Sequence, residues 1–142
     1  MAADEYEVKY RVIALNPAKD AGKKLLREEN RLWLIQELQR LKYWPDNEDE
    51  FDYEKAFGAI EFKFRIEDKW IRIFVYEDNT RKVMWVLRAY AKKTNQLTVA
   101  QRIGVETAVS RIEQEIKLYE KQQKQLDRRS QLRVLQGGRE PS

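Results

Sequence analysis

Between residues 59 and 92, hydrophobic and polar positions alternate in three consecutive runs. A period of two is typical of a strand with one buried face, so the runs predict three β-strands. Short polar turns at residues 67–69 and 77–80 favour an antiparallel meander. One face is predicted to be core, with Ile60, Phe62, Phe64, Ile66, Ile71, Ile73, Val75, Val83, Trp85, Leu87, Ala89 and Ala91.

The opposite face of this predicted sheet collects cations and flat rings. Cations neutralise phosphates and rings stack on bases, so the mixture indicates a nucleic-acid-binding surface. The alternative is an ordinary solvated face of a half-buried sheet. The predicted surface contains Lys63, Arg65, Arg72, Phe74, Tyr76, Arg88, Tyr90 and Lys92.

Further elements flank the meander. Alternation over residues 6–15 predicts a first strand, and Asn16-Pro17 begins a long helix that runs to about Lys42. Thr98 and Gln101 have the spacing of a capping box at the start of a second long helix. The pattern predicts an α+β fold, in which an antiparallel sheet of about four strands carries long N-terminal and C-terminal helices on one face.

We expect one domain over residues 1–120, followed by a charged extension over residues 121–142 that is partly helical and then disordered. Within the domain, residues 44–57 are an acidic connector. Its carboxylates allow two interpretations, a divalent-cation site or a solvated linker, and the absence of a calcium-loop motif favours the linker.

Composition narrows the chemistry. The 142 residues include no cysteine and no histidine, with 37% charged residues and a net charge of +4. Thiolate chemistry and histidine acid–base catalysis are therefore excluded, and we expect neither a metal nor another cofactor. Without a long apolar run or a signal pattern, the chain is expected to be cytoplasmic and away from membranes.

The string FKFRIEDKWIRIFVY, followed by VLRAYAKKT and a capped helix, resembles the RelE/ParE toxin superfamily, and within it the phage-derived HigB-like group. Lys63, Arg65 and Arg72 match its basic strand pair, and Lys92, Lys93 and Thr94 match the Lys-Lys-Thr element of the HigB-like group. The resemblance covers roughly residues 59–116.

This resemblance implies a type II toxin that cleaves mRNA, in some members at the ribosome, and that is held by a cognate antitoxin protein. RNA cleavage without histidine or a metal leaves two candidates for the base, Lys63 or Lys92, and two for a ring that stacks on a base or relays a proton, Tyr90 or Tyr76. We therefore expect catalysis at Arg65, Arg72, Arg88, Tyr90 and Lys92, and RNA binding at Lys63, Phe74, Tyr76 and Lys93. Other members of the superfamily poison DNA gyrase, so fold alone does not define activity.

Two other functions are consistent with the same residues. One is a non-catalytic, phage-derived or mobile-element module that binds nucleic acid or protein. The other is a structural adaptor that forms oligomers through its C-terminal helix. Growth arrest when the chain is expressed alone would favour the toxin over both.

Overall fold

The computed structural model describes residues 6–92 and 96–137. The chain divides into two compact units between Ser110 and Arg111. Among the described residues, the first unit contains the sheet, three α-helices and two short 3-10 helices (Arg40–Tyr43 and Glu48–Glu50), and the second contains one α-helix. In chain order the elements are β1 (Arg11–Ala14), α1 (Asn16–Leu25), α2 (Glu28–Gln39), β2 (Tyr53–Ala56), β3 (Ala59–Ile66), β4 (Lys69–Asp78), β5 (Val83–Lys92), α3 (Val99–Ser110) and α4 (Ile112–Gly137).

The sheet has five strands in the order β1-β5-β4-β3-β2. The predicted meander of β3, β4 and β5 is confirmed, and so is the α+β class. The expectation of about four strands, all antiparallel, is wrong in two respects. Residues 53–56 of the acidic connector pair with β3 as a fifth strand, and β1 runs parallel to β5. The first strand is also shorter than predicted, because only Arg11–Ala14 joins the ladder.

The first face of the sheet carries the main core. Alternate residues of β3 and β4 point into it as predicted, including Phe62, Ile73 and Val75, which are all but inaccessible. Ala18 of α1, Leu26 in the turn after it, and Leu34 and Leu38 of α2 cover this face. Burial of this apolar surface supplies most of the driving force that fixes the register of β3 and β4.

Strand β5 changes sides at a β-bulge. Phe74 pairs with Arg88 but Val75 pairs with Val86, so Leu87 is the extra residue. Met84, Val86 and Ala89 therefore face the main core. The prediction that Val83, Trp85 and Leu87 join the first-face core is wrong: none of the three belongs to it, although all are buried. The bulge inverts the alternation on which that prediction depended.

The second face is consequently part core and part polar. Phe74, Val83 and Trp85 are buried there, and α3, which carries the buried Val105 and Ala108, packs against β5. The expectation that helices cover one face only is therefore wrong. The Thr98–Gln101 capping box is confirmed, because each backbone amide donates to the other residue's side chain, at 3.2 and 3.1 Å.

The predicted long N-terminal helix is interrupted at Leu26–Arg27. The turn between β3 and β4 stabilises this break. Glu67 accepts hydrogen bonds from the Arg27 amide and the Asn30 side chain, while Lys69 donates to the Leu25 carbonyl. These contacts cap the end of α1 and the start of α2. They hold both helices against the sheet.

In the described part of the chain, no helix is long and apolar enough to span a membrane.

Candidate nucleic-acid interface

The polar half of the second face forms rows across three strands. In one row Arg65 lies opposite Trp70, which lies opposite Lys92. In the next row Lys63, Arg72 and Tyr90 are neighbours in the same order. The cationic and aromatic residues singled out from the sequence on β3, β4 and the second half of β5 therefore share one face.

Two carboxylates neutralise the centre of this face. Glu61 lies 3.2 Å from Arg72, and both side chains are at least nine-tenths buried. Burial raises the pKa of the Glu61 carboxyl, and the nearby Arg72 and Lys63 charges oppose that rise. Glu54 of β2 lies 3.3 Å from Lys63 at the surface. The positive potential is accordingly strongest away from β2, around Lys92.

A cleft of about 630 Å³ opens beside Lys92. It exists because β1 pairs with β5 only as far as Val86, so no strand in the described ranges covers the outer edge of residues 88–92. Helix α1 forms one wall and the start of α3, at Thr98 and Gln101, forms another. The end of β5 forms the floor.

Charged and polar groups converge in this cleft. Lys24 and Asp20 reach it from α1, Arg72 from β4, and Tyr90 and Lys92 from β5. Three cations face a single carboxylate, so the lining has an excess of positive charge. Cations with an adjacent hydroxyl are a suitable environment for a phosphodiester group.

Tyr90 is a half-buried polar group of the lining. Gly104 of α3 leaves room for it, since a Cβ atom at that position would lie 2.9 Å from the Tyr90 hydroxyl oxygen. Burial raises the pKa of Tyr90, and the charge of Arg88 partly offsets this rise. The phenol is therefore neutral at physiological pH and can donate a hydrogen bond or a proton.

Three other predicted site residues, Arg65, Arg88 and Tyr76, do not line the cleft. The Arg65 guanidinium lies over the Trp70 ring, 5.5 Å from its centre, so Trp70 supports a cation at the open end of the face. Arg88 donates to the Leu87 carbonyl. Tyr76 lines a separate pocket of about 400 Å³ with Phe57 and Lys55.

Two further residues, Phe74 and Lys93, were predicted to bind RNA. Phe74 is fully buried, with its ring 6.1 Å from that of Tyr90, so it supports Tyr90 and has no face free for a base. Lys93 and Thr94 lie outside the described residues.

Sequence reasoning missed the α1 wall. Pro17, Asp20, Ala21 and Lys24 recur at intervals of three and four residues, which places them on one side of a helix. That periodicity was available in the sequence. Its meaning depends on the open edge of β5, which the sequence does not reveal.

The acidic connector makes local contacts away from the cleft. Asp46 pairs with Lys9, Glu48 accepts from the Tyr53 hydroxyl, and Glu50 pairs with Arg40. Within residues 6–92 and 96–137, no group of three or more acidic side chains is arranged to hold a metal ion.

Comparisons with known proteins gave a weak similarity among the solved structures. No protein-family model and no curated protein matches the chain. A crystal structure of the archaeal RelE–RelB complex from Pyrococcus horikoshii OT3 matches at 19% identity with a TM-score of 0.42. The match covers 60% of this chain and 97% of that chain. Similarity at this level does not establish a family.

Proposed function

We propose that this protein is a toxin of the RelE/ParE type that binds RNA in the cleft between α1 and α3 and cleaves it without a metal ion. The observation that carries the proposal is the convergence of Lys24, Arg72, Tyr90 and Lys92 with Asp20 in one open cleft. The resemblance of the β3–β5 sequence to toxins of that superfamily supports the same function.

The residues of the cleft match the requirements of RNA cleavage by the neighbouring 2′-hydroxyl. Lys24 and Lys92 hold the phosphate and balance its growing negative charge. The Asp20 carboxylate accepts the 2′-hydroxyl proton as the 2′-oxygen attacks phosphorus. The bond from phosphorus to the 5′-oxygen then breaks, and that oxygen takes a proton from the Tyr90 phenol. The products are a 2′,3′-cyclic phosphate and a 5′-hydroxyl.

The experiment is RNA end mapping in the presence of EDTA, with and without translating ribosomes. We expect defined cuts with cyclic phosphate ends. Tyr90→Phe and Lys92→Gln should slow cleavage by about 100-fold or more if they supply a proton and charge stabilisation in the transition state. Lys23→Gln is the matched control, since Lys23 is exposed on α1 and does not line the cleft.

Non-catalytic binding is the second candidate function. The Glu61–Arg72 ion pair favours it, because Glu61 already satisfies much of the Arg72 charge that a cleaving site would direct at phosphate. RNA binding without any cut in the end-mapping experiment would support this candidate. Cuts that persist in both cleft variants would contradict the assigned site.

We also propose that a cognate antitoxin protein restrains this activity. The protein's growth-arresting effect should then appear when it is expressed alone and disappear when the neighbouring antitoxin gene is co-expressed.

A further inference from the structure

Helix α4 carries a straight line of cations beyond its buried first turns. Lys117, Lys121, Lys124 and Arg128 follow one another at steps of four, three and four residues. With 3.6 residues per turn, these four side chains lie within about 60° of one another around the helix. All four are exposed. We call this line the α4 cation stripe.

The four charges are available for a ligand. Within the described ranges, none of these side chains makes an ion pair or a hydrogen bond. The acidic residues nearest the stripe, Glu113, Glu120 and Asp127, lie about 50° to 90° from its centre, all on one side. An exposed row of cations that forms no ion pair and has acidic neighbours on one side only concentrates positive potential along its other side.

The dimensions of the stripe fit a nucleic-acid backbone. Eleven residues at about 1.5 Å per residue separate Lys117 from Arg128 by about 16 Å. One strand of a nucleic-acid helix advances about 3.4 Å along its axis per phosphate while it winds around that axis, so a straight line of about 16 Å reaches several phosphates and at most about five. Four long, flexible cations can follow such a row.

Two other partners fit the helix less well. A membrane-bound helix needs one continuous apolar side, but the exposed Leu118, Leu126 and Leu132 spread over about 120° and alternate with Arg129 and Arg133.

A coiled coil with a second copy needs apolar residues to continue the seam of Ile112, Ile116 and Tyr119. The next positions of that seam are Gln123, Leu126, Ser130 and Arg133.

We infer that the α4 cation stripe binds the phosphodiester backbone of a nucleic acid, through residues none of which lines the cleft. The inference does not depend on cleavage by the cleft. Its chemistry requires a run of consecutive phosphates and no particular base, so the bound strand is RNA or DNA.

The test is equilibrium binding of the full chain to a fluorescent 20-nucleotide RNA, and to DNA of the same sequence, across a salt series. The double variant Lys121→Gln, Lys124→Gln removes two stripe charges. The control, Arg129→Gln, Arg133→Gln, makes the same change in charge on the same helix, about 110° and 150° from the centre of the stripe. Glutamine is a good helix former, and circular dichroism checks that α4 is retained.

We expect the stripe variant to flatten the slope of log K against log salt by about 1.4, from about 0.7 per lost phosphate contact on a single strand. The control should change it by less than half as much. A flatter slope for the stripe variant on RNA alone identifies RNA as the ligand, and a flatter slope on DNA alone identifies DNA. Equal flattening on both supports a site for either backbone.

Several results would overturn the inference. If the salt slope flattens equally in the stripe and control variants, only the net charge of the protein matters. If neither slope changes, the stripe does not bind the strand. Binding to anionic lipid vesicles without binding to either strand would assign α4 to membranes. Cleavage is measured separately from binding. A protein whose cleft does not cleave RNA should still show the slope difference between stripe and control variants. A protein whose stripe does not bind should still cleave RNA in the cleft.

Discussion

The two faces of the sheet are organised differently although they share the same strands. The first face is apolar through its centre and is covered by α1 and α2. The second face is apolar at one end, around Phe74 and Trp85, and cationic at the other, around Arg65 and Lys92. The bulge at Leu87 lies between these ends. A single inserted residue therefore separates a second small core from a surface that can bind a ligand.

Substitutions in the cores of the two faces should lower the stability of the fold most. Phe62 on the first face and Phe74 on the second are both fully buried. Replacing either with alanine should lower the free energy of unfolding by about 3 to 5 kcal/mol through lost burial and a cavity. Urea denaturation measures this loss.

Trp70 provides the control on the second face, because it is exposed at the cationic end. Trp70→Ala should cost about 1 kcal/mol or less. If Phe74→Ala costs no more than Trp70→Ala, the apolar end of the second face is not a core.

The next effect concerns Asp78, at the apolar end of the second face. Burial would raise the pKa of Asp78, but hydrogen bonds from the Arg81 amide, the Trp85 indole and the Arg81 guanidinium outweigh it and lower the pKa. The carboxylate therefore stabilises the fold at any pH above 3.8, the ordinary pKa of an aspartate. This contribution is lost as the pH falls through the lower pKa of the folded state.

Asp78→Asn should lower the free energy of unfolding by about 1.5 to 3 kcal/mol at neutral pH, with a smaller difference from wild type in acid. Asp68→Asn, in an exposed turn, should change it by about 0.5 kcal/mol or less at either pH. A loss for Asp78→Asn that does not shrink in acid would contradict the role given to its ionised form.

A substitution beside Tyr90 should change RNA affinity without lowering the stability of the fold. Gly104→Ala places a methyl group 2.9 Å from the Tyr90 hydroxyl oxygen and must displace it, while alanine favours helix α3 by up to about 1 kcal/mol. RNA affinity should fall about 2- to 10-fold, the equivalent of one hydrogen bond, without loss of stability.

Gly22→Ala is the matched helical control, because its Cβ would meet only ordinary contacts, at 3.8 Å. It should leave RNA affinity unchanged. Equal affinity in the Gly104→Ala variant and the wild type would show that Tyr90 does not contact the RNA.

The sequence predicts the first face well where one parity of a strand is apolar and the other polar, as in residues 60–66. It predicts β5 poorly because Val83 to Leu87 are apolar at every position, so neither parity marks the core. Nothing local indicates that Leu87 is the bulged residue. Tertiary pairing with Phe74 and Val75 decides it.

Long-range contacts explain the remaining differences. The helix break at Leu26–Arg27 depends on Glu67 and Lys69, about forty residues away, so helical periodicity alone predicts a continuous helix. The cleft likewise requires β1 to end short of residues 88–92. The Thr98–Gln101 capping box, in contrast, involves only neighbouring residues and was predictable.

The salt dependence of RNA binding in two double variants tests directly whether RNA occupies the cleft. Lys24→Gln, Lys92→Gln removes two cations of the cleft, and Lys19→Gln, Lys23→Gln removes two exposed cations of α1 that do not line it. We predict that the slope of log K against log salt flattens by about 1.4 in the first variant and stays near the wild-type value in the second. Equal slopes in the two variants would contradict the claim.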